Sequence, residues 1–169
     1  DVAHEEAMKH HQESLEHVRQ ALERHEFVLY YQPKVNMYTG LVTGAEALIR
    51  WQHPQRGLLA PGAFLPMVEG QPISIELGER VMMTALTQMD AWRAQGLNLP
   101  VSVNISAHHL QQDVFASRLA AMLAVKSGVP PGWLQLEVLE TSALEDILKV
   151  SAAMNACHVM GVGFALDDF

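Results

Sequence analysis

Cysteine is all but absent. Cys157 stands alone in 169 residues, so no intrachain disulfide can form and neither a Cys-rich zinc site nor a stapled secreted scaffold is available. Long apolar runs are missing too: no stretch approaches the roughly 20 residues of a membrane span, and residues 1–20 hold no apolar signal-peptide core. Positive charge is scarce, with 11 Lys and Arg against 19 Asp and Glu, a net charge of -8 and a pI near 5.5. That balance argues against a sequence-independent nucleic-acid surface, which needs clustered Lys and Arg to neutralise phosphates. A small anionic ligand stays open, because a metal can supply the local positive charge. With 49% apolar and 18% charged residues, the composition predicts one soluble domain in a reducing, cytoplasmic setting. Any membrane tether is expected outside this segment.

The chain is organised around Gly44-Ala45-Glu46-Ala47-Leu48-Ile49-Arg50-Trp51, a short apolar run carrying one acid and one guanidinium. An acid in such a run is costly to bury unless something pairs with it. Similar settings recur at Asn104 in Val101–Ser106, at Glu137 in Leu134–Val138, and at Asp167-Asp168 after Val162–Leu166. The steps from 104 to 137 and from 137 to 167 are each about one strand-helix-strand unit.

Residues 3–24 read as a helix, with Leu15, Val18 and Leu22 at helical spacing and a first half that is polar all round. Residues 1–21 are taken as a linker helix and domain start, coupled to an upstream domain, and 22–169 as the domain proper. Phe27 to Pro33 and Leu41 to Arg50 form an antiparallel hairpin, with Pro33 expected to end the pairing. A loop from Gln52 to Gly62, a short helix over 64–69 and an amphipathic helix over 74–95 follow. After the Asn104 strand, Asp113 reads as the N-cap of a helix to about Ser127. The Glu137 strand, a helix over 144–160 and a strand over 163–166 complete the chain. From Val101 onward, the strand and helix alternation implies parallel strands with right-handed crossovers.

Each acid or amide sits near the end of an apolar strand, where α/β folds put their chemistry. Converging acids repel unless a cation joins them. Oxygen ligands without thiolate point to Mg²⁺ or Mn²⁺, and two adjacent aspartates suit the two-metal arrangement used for attack of water on a phosphodiester. The bland alternative is five separate strand-end or cap residues facing water. Arg50 offers a fork for phosphate or guanine, or else a structural ion pair. Gln32 offers an amide to a base edge, or is an exposed strand-end residue. Glu140 either orients ligands from behind or caps the helix that follows. The histidines share no consistent ligand face.

These residues together resemble the EAL-domain cyclic-di-GMP phosphodiesterases of bacteria. The resemblance is carried by Tyr31-Gln32-Pro33, Glu46-Ala47-Leu48-Ile49-Arg50-Trp51, His53-Pro54 with Gly57 and Pro61, Ser102–Ser106, Leu136-Glu137 with Glu140-Thr141, and Asp167-Asp168-Phe169. Leu139, where the family usually has Thr, departs from the pattern. The resemblance implies an α/β fold, a modified TIM (β/α)8 barrel of which about five strands are present. It also implies that Glu46, Asn104, Glu137 and Asp167 bind one Mg²⁺ or Mn²⁺, that Asp168 helps bind a second, that Gln32 and Arg50 contact the dinucleotide, and that Glu140 supports a loop. The implied product is linear pGpG, with homodimerisation and an upstream GGDEF (diguanylate cyclase-type) domain as associations. The complete domain is expected to continue past Phe169 to a lysine, a general-base glutamate and a glutamine. Residues 1–169 alone are therefore expected to be inactive and to expose an unpaired edge and an apolar inner barrel face. A receptor or interaction module that binds cyclic-di-GMP without hydrolysing it is the competing expectation.

Overall fold

The computed structural model describes residues 1–139 and 146–167. Helix α1 (Val2–Glu23) leads into strands β1 (Phe27–Val35), β2 (Val42–His53) and β3 (Gly57–Leu59). Helices α2 (Leu65–Val68) and α3 (Pro72–Ala94) come next, then β4 (Val101–Asn104), α4 (Ala107–Leu110) and α5 (Phe115–Val125). Strand β5 (Leu134–Leu139), helix α6 (Ile147–Met160) and strand β6 (Gly163–Asp167) follow. The strands form one sheet in the order β1-β2-β4-β5-β6, with β3 paired to the far end of β2. The hairpin is antiparallel, and β2, β4, β5 and β6 run parallel to one another.

Strand parity decides where the core lies. Ala47, Val101, Val103, Leu134, Leu136 and Val138 fall on one face and are buried against Met82, Leu86 and Met89 of α3, Leu119 of α5 and Val150 of α6. A fully buried aliphatic side chain of this kind contributes about 1.5–3 kcal/mol. Cys157 is buried in the same layer, and burial pushes its thiol up to about 11, so it stays protonated and inert. A second cluster holds the start of the domain: Val18, Ala21 and Leu22 of α1 pack with Trp51, Phe64, Val68, Ile73 and Leu77. The first half of α1 is exposed.

Three expectations are corrected, and two short elements are added: the turn α4, and the strand β3 inside the expected Gln52–Gly62 loop. Pairing of β1 does not stop at Pro33 but continues through Lys34↔Gly44 to Val35↔Val42 across a bulge. Among the described residues β1 pairs on one side only, and an outer strand tolerates proline. Asp113 is not the cap of α5, whose N-cap is Val114 without a side-chain hydrogen bond. The turn α4 escaped the sequence pattern; Ser106 caps it by accepting from the His109 N–H at 3.1 Å. The face of the sheet turned away from the helices is not apolar. It carries Gly44, Glu46, Ser102, Asn104, Gln135, Glu137 and Ala165 in neighbouring register positions.

Helix α3 approaches α4 closely where Gly78 meets His109: a Cβ at Gly78 would lie 2.6 Å from the imidazole Nδ1. The ring has little room to retreat, being buried and edge-on to Phe115 at 5.3 Å between centroids. Gly78→Ala is therefore expected to destabilise the fold by about 1–2 kcal/mol, overpacking outweighing the helix propensity of alanine. In a His109→Ala background the same change should become neutral or stabilising. Urea denaturation of the four proteins checks this, and an equal loss in both backgrounds contradicts it.

Candidate functional site

Period-two alternation delivers the polar groups to one face. In β2 the small residues Ala45 and Ala47 turn inward to the helices, which leaves Glu46 half-buried on the opposite side. Its register partners are Gln32 on β1 and Ser102 on β4. Two residues further along β4, Asn104 pairs in register with Glu137 on β5, and its amide Nδ2 donates to the Glu46 carboxylate at 3.4 Å. Glu46, Asn104 and Glu137 thus come from three adjacent parallel strands. Glu137 in turn pairs with Ala165, two positions before Asp167 at the end of β6. Asp168 and Glu140 lie outside the described residues, as does the side chain of Asp167.

A lysine that the sequence reading passed over completes the arrangement. Lys34 Nζ donates to Glu137 Oε1 at 3.0 Å and to Ser102 Oγ at 2.7 Å. Ser102 Oγ lies 3.4 Å from Gln135 Oε1. The signal was present in β1: once the strand runs past Pro33, Lys34 shares the face of Gln32. Its side chain spans a large gap, since β1 and β5 are three strand spacings apart, roughly 14 Å on a flat sheet. Two side chains meeting across that gap require the sheet to curl toward its polar face, as a barrel does.

Arg50 lies on the same parity as Glu46, opposite Val28, and its guanidinium donates to the Ile49 carbonyl at 2.8 Å. A cavity of about 530 Å³ reaches Asn104 and Glu137 from the side of α2 and α3, within the usual range for small-molecule sites. Leu48, Leu65, Leu77 and Val81 give it apolar walls, and His109 lies at its back. Gln32, Glu46 and Arg50 are outside its lining. Among the described residues no three His, Cys, Asp or Glu side chains converge tightly enough to hold a metal on their own. The described donors are two carboxylates and an amide oxygen, all hard ligands, a chemistry that fits Mg²⁺ or Mn²⁺ better than zinc.

With this geometry in view, the chain proves to belong to the EAL domain family, whose pattern it matches over residues 15–169. It is 38% identical over 150 residues to the bifunctional diguanylate cyclase/cyclic di-GMP phosphodiesterase MucR of Pseudomonas aeruginosa, covering 88% of this chain and 22% of that protein. It is 34% identical over 143 residues to the cyclic di-GMP phosphodiesterase PA2567 of the same organism, covering 85% and 24%. The solved MucR phosphodiesterase in complex with c-di-GMP superposes with a TM-score of 0.86 at 39% identity, over 93% of this chain and 64% of that one. The FimX EAL domain of Pseudomonas aeruginosa, at 19% identity and a TM-score of 0.82, shares the fold. The sheet is accordingly part of a modified TIM barrel, and the chain spans about a quarter or less of the length of these two curated relatives.

Burial lowers the His109 imidazole to about 4, with His108 and Arg118 pushing the same way and Glu79 opposing. The unfolded chain binds this proton near pH 6.5, so the stability held by neutral His109 is full above that pH and is lost as pH falls toward 4. The loss amounts to about 2–3 kcal/mol. His109→Gln should flatten the fall in stability between pH 6.5 and 4 by that amount in denaturation measured across the window. An unchanged slope contradicts the assignment.

Proposed function

We propose that the protein hydrolyses cyclic-di-GMP to linear pGpG in a reaction dependent on divalent cations, Mg²⁺ or Mn²⁺. The observation that carries this reading is the meeting of Glu46, Asn104 and Glu137 from adjacent strands on one face of the sheet. Relatives named as cyclic di-GMP phosphodiesterases support it. Glu46, Asn104, Glu137 and Asp167 hold one cation, and Asp168 contributes to a second. When bound, such cations make water a nucleophile near neutral pH and neutralise charge on phosphate oxygens.

The chain's own residues supply binding, orientation and shielding. Arg50 presents a planar fork suited to a phosphate or guanine edge, and Gln32, beside Glu46 in register, offers an amide to the dinucleotide. The amide of Asn104 orients the Glu46 carboxylate, fixing one donor before the substrate arrives. Glu140 steadies the loop near the Asp pair, and apolar walls beside Asn104 and Glu137 limit water. The exposed first half of α1 serves as a connector to an upstream GGDEF-type domain, and the barrel forms a homodimer in the cytoplasm. No helix among the described residues is long and apolar enough to cross a membrane.

The test uses the full-length protein with Mg²⁺ and cyclic-di-GMP, following pGpG by chromatography. Glu46→Ala should lower turnover by more than about 100-fold, since even outer-shell partners of metal ligands are worth 10–100-fold. Turnover by the variant at the wild-type rate, or binding without hydrolysis by the wild type, contradicts the proposal.

A further inference from the structure

Lys34 is the cation already present on the acidic face. Its Nζ sits 3.0 Å from Glu137 Oε1 and 2.7 Å from Ser102 Oγ, while the Glu137 side chain is only 15% exposed. The Lys34 ammonium, itself 40% exposed, is the countercharge at contact distance from that carboxylate. The fold clears the way for the lysine. Its register partner is Gly44, so no side chain stands on β2 between Lys34 and the strands beyond. Gly44 is itself constrained, since a Cβ there would lie 3.1 Å from the Pro100 carbonyl oxygen.

We propose that Lys34 is a positioning residue that holds the Glu137 carboxylate in place when no divalent cation is bound and competes with the cation for it. This inference rests on the divalent-cation reading above. An ammonium and a metal ion seek the same carboxylate oxygens, and both cannot sit at contact distance on one side of it without repelling each other. Metal binding then moves Lys34 off Glu137, with the Ser102 hydroxyl as its remaining acceptor. The lysine keeps the acids from repelling one another in the empty site and sets the cation concentration at which that site fills.

The test is Mn²⁺ binding to the full-length protein without substrate, by isothermal titration calorimetry, together with Tm in chelator and in saturating Mn²⁺. Lys34→Met, which keeps the length of the stem and removes the charge, should bind Mn²⁺ about tenfold more tightly than wild type. It should also have a lower Tm in chelator, recovered when Mn²⁺ saturates. Lys34→Arg should stay close to wild type. Lys34→Gln, whose amide can keep a hydrogen bond to Ser102, makes the same comparison if the Met variant does not fold. If wild type binds Mn²⁺ and the neutral variants bind it equally or more weakly, competition by Lys34 is overturned while the metal reading stands. If neither wild type nor variants bind Mn²⁺, both are overturned.

Discussion

Alternation along the strands is the constraint on which both core and site depend. In β2, β4 and β5 the residues of one parity are Ala47, Val101, Val103, Leu134 and Leu136, and those of the other are Glu46, Ser102, Asn104, Gln135 and Glu137. A slip of one residue in any of these strands would turn a polar side chain into the layer formed by Met82, Leu86 and Leu119, a carboxylate in β2 and β5, and an aliphatic side chain onto the polar face. Burial of the apolar set therefore fixes the register, and the register fixes which acids meet. The register puts Glu46 and Glu137 on one face, where the Asn104 amide and the Lys34 ammonium hold their carboxylates.

Curvature adds the third dimension. A flat sheet would keep β1 and β5 too far apart for Lys34 and Glu137 to pair comfortably, and the 3.0 Å contact between them is a sign that the sheet wraps around its polar face. Helices α3, α5 and α6 cover the outer side, and α1 with α2 closes the end at Trp51 and Phe64. The cavity beside Asn104 and Glu137 arises where these two arrangements meet. Its apolar walls belong to the elements that stabilise the fold, so the site and the second core cluster share Leu77 and Val68.

Much of this was legible in the residues themselves. The hairpin and the parallel strands after Val101 follow from hydrophobic period and loop signals, because long regular elements announce themselves that way; Glu46, expected near a strand end, lies within β2 instead. Local rules failed where tertiary context overrode them. Proline seemed to end β1, yet an outer strand accommodates it, and the shortened strand hid Lys34 from the reading. Asp113 looked like a cap by residue type, but the chain enters α5 a residue later. The expectation of an apolar inner face is not met, because the helix-facing side holds the core while Glu46, Ser102, Asn104, Gln135 and Glu137 lie on the other. Membership of the EAL family was carried by the combination of motifs rather than by any one of them, which is why the isolated Asp167-Asp168 pair said little by itself.

The account stands on a divalent cation seated among oxygens from three neighbouring strands. Crystals of the full-length protein grown with Mn²⁺, with data collected at a wavelength where manganese scatters anomalously, test it most directly. The account predicts an anomalous peak about 2.0–2.3 Å from the Asn104 amide oxygen and from carboxylate oxygens of Glu46 and Glu137. A map in which manganese occupies other sites, with the lysine still seated on Glu137, would contradict it.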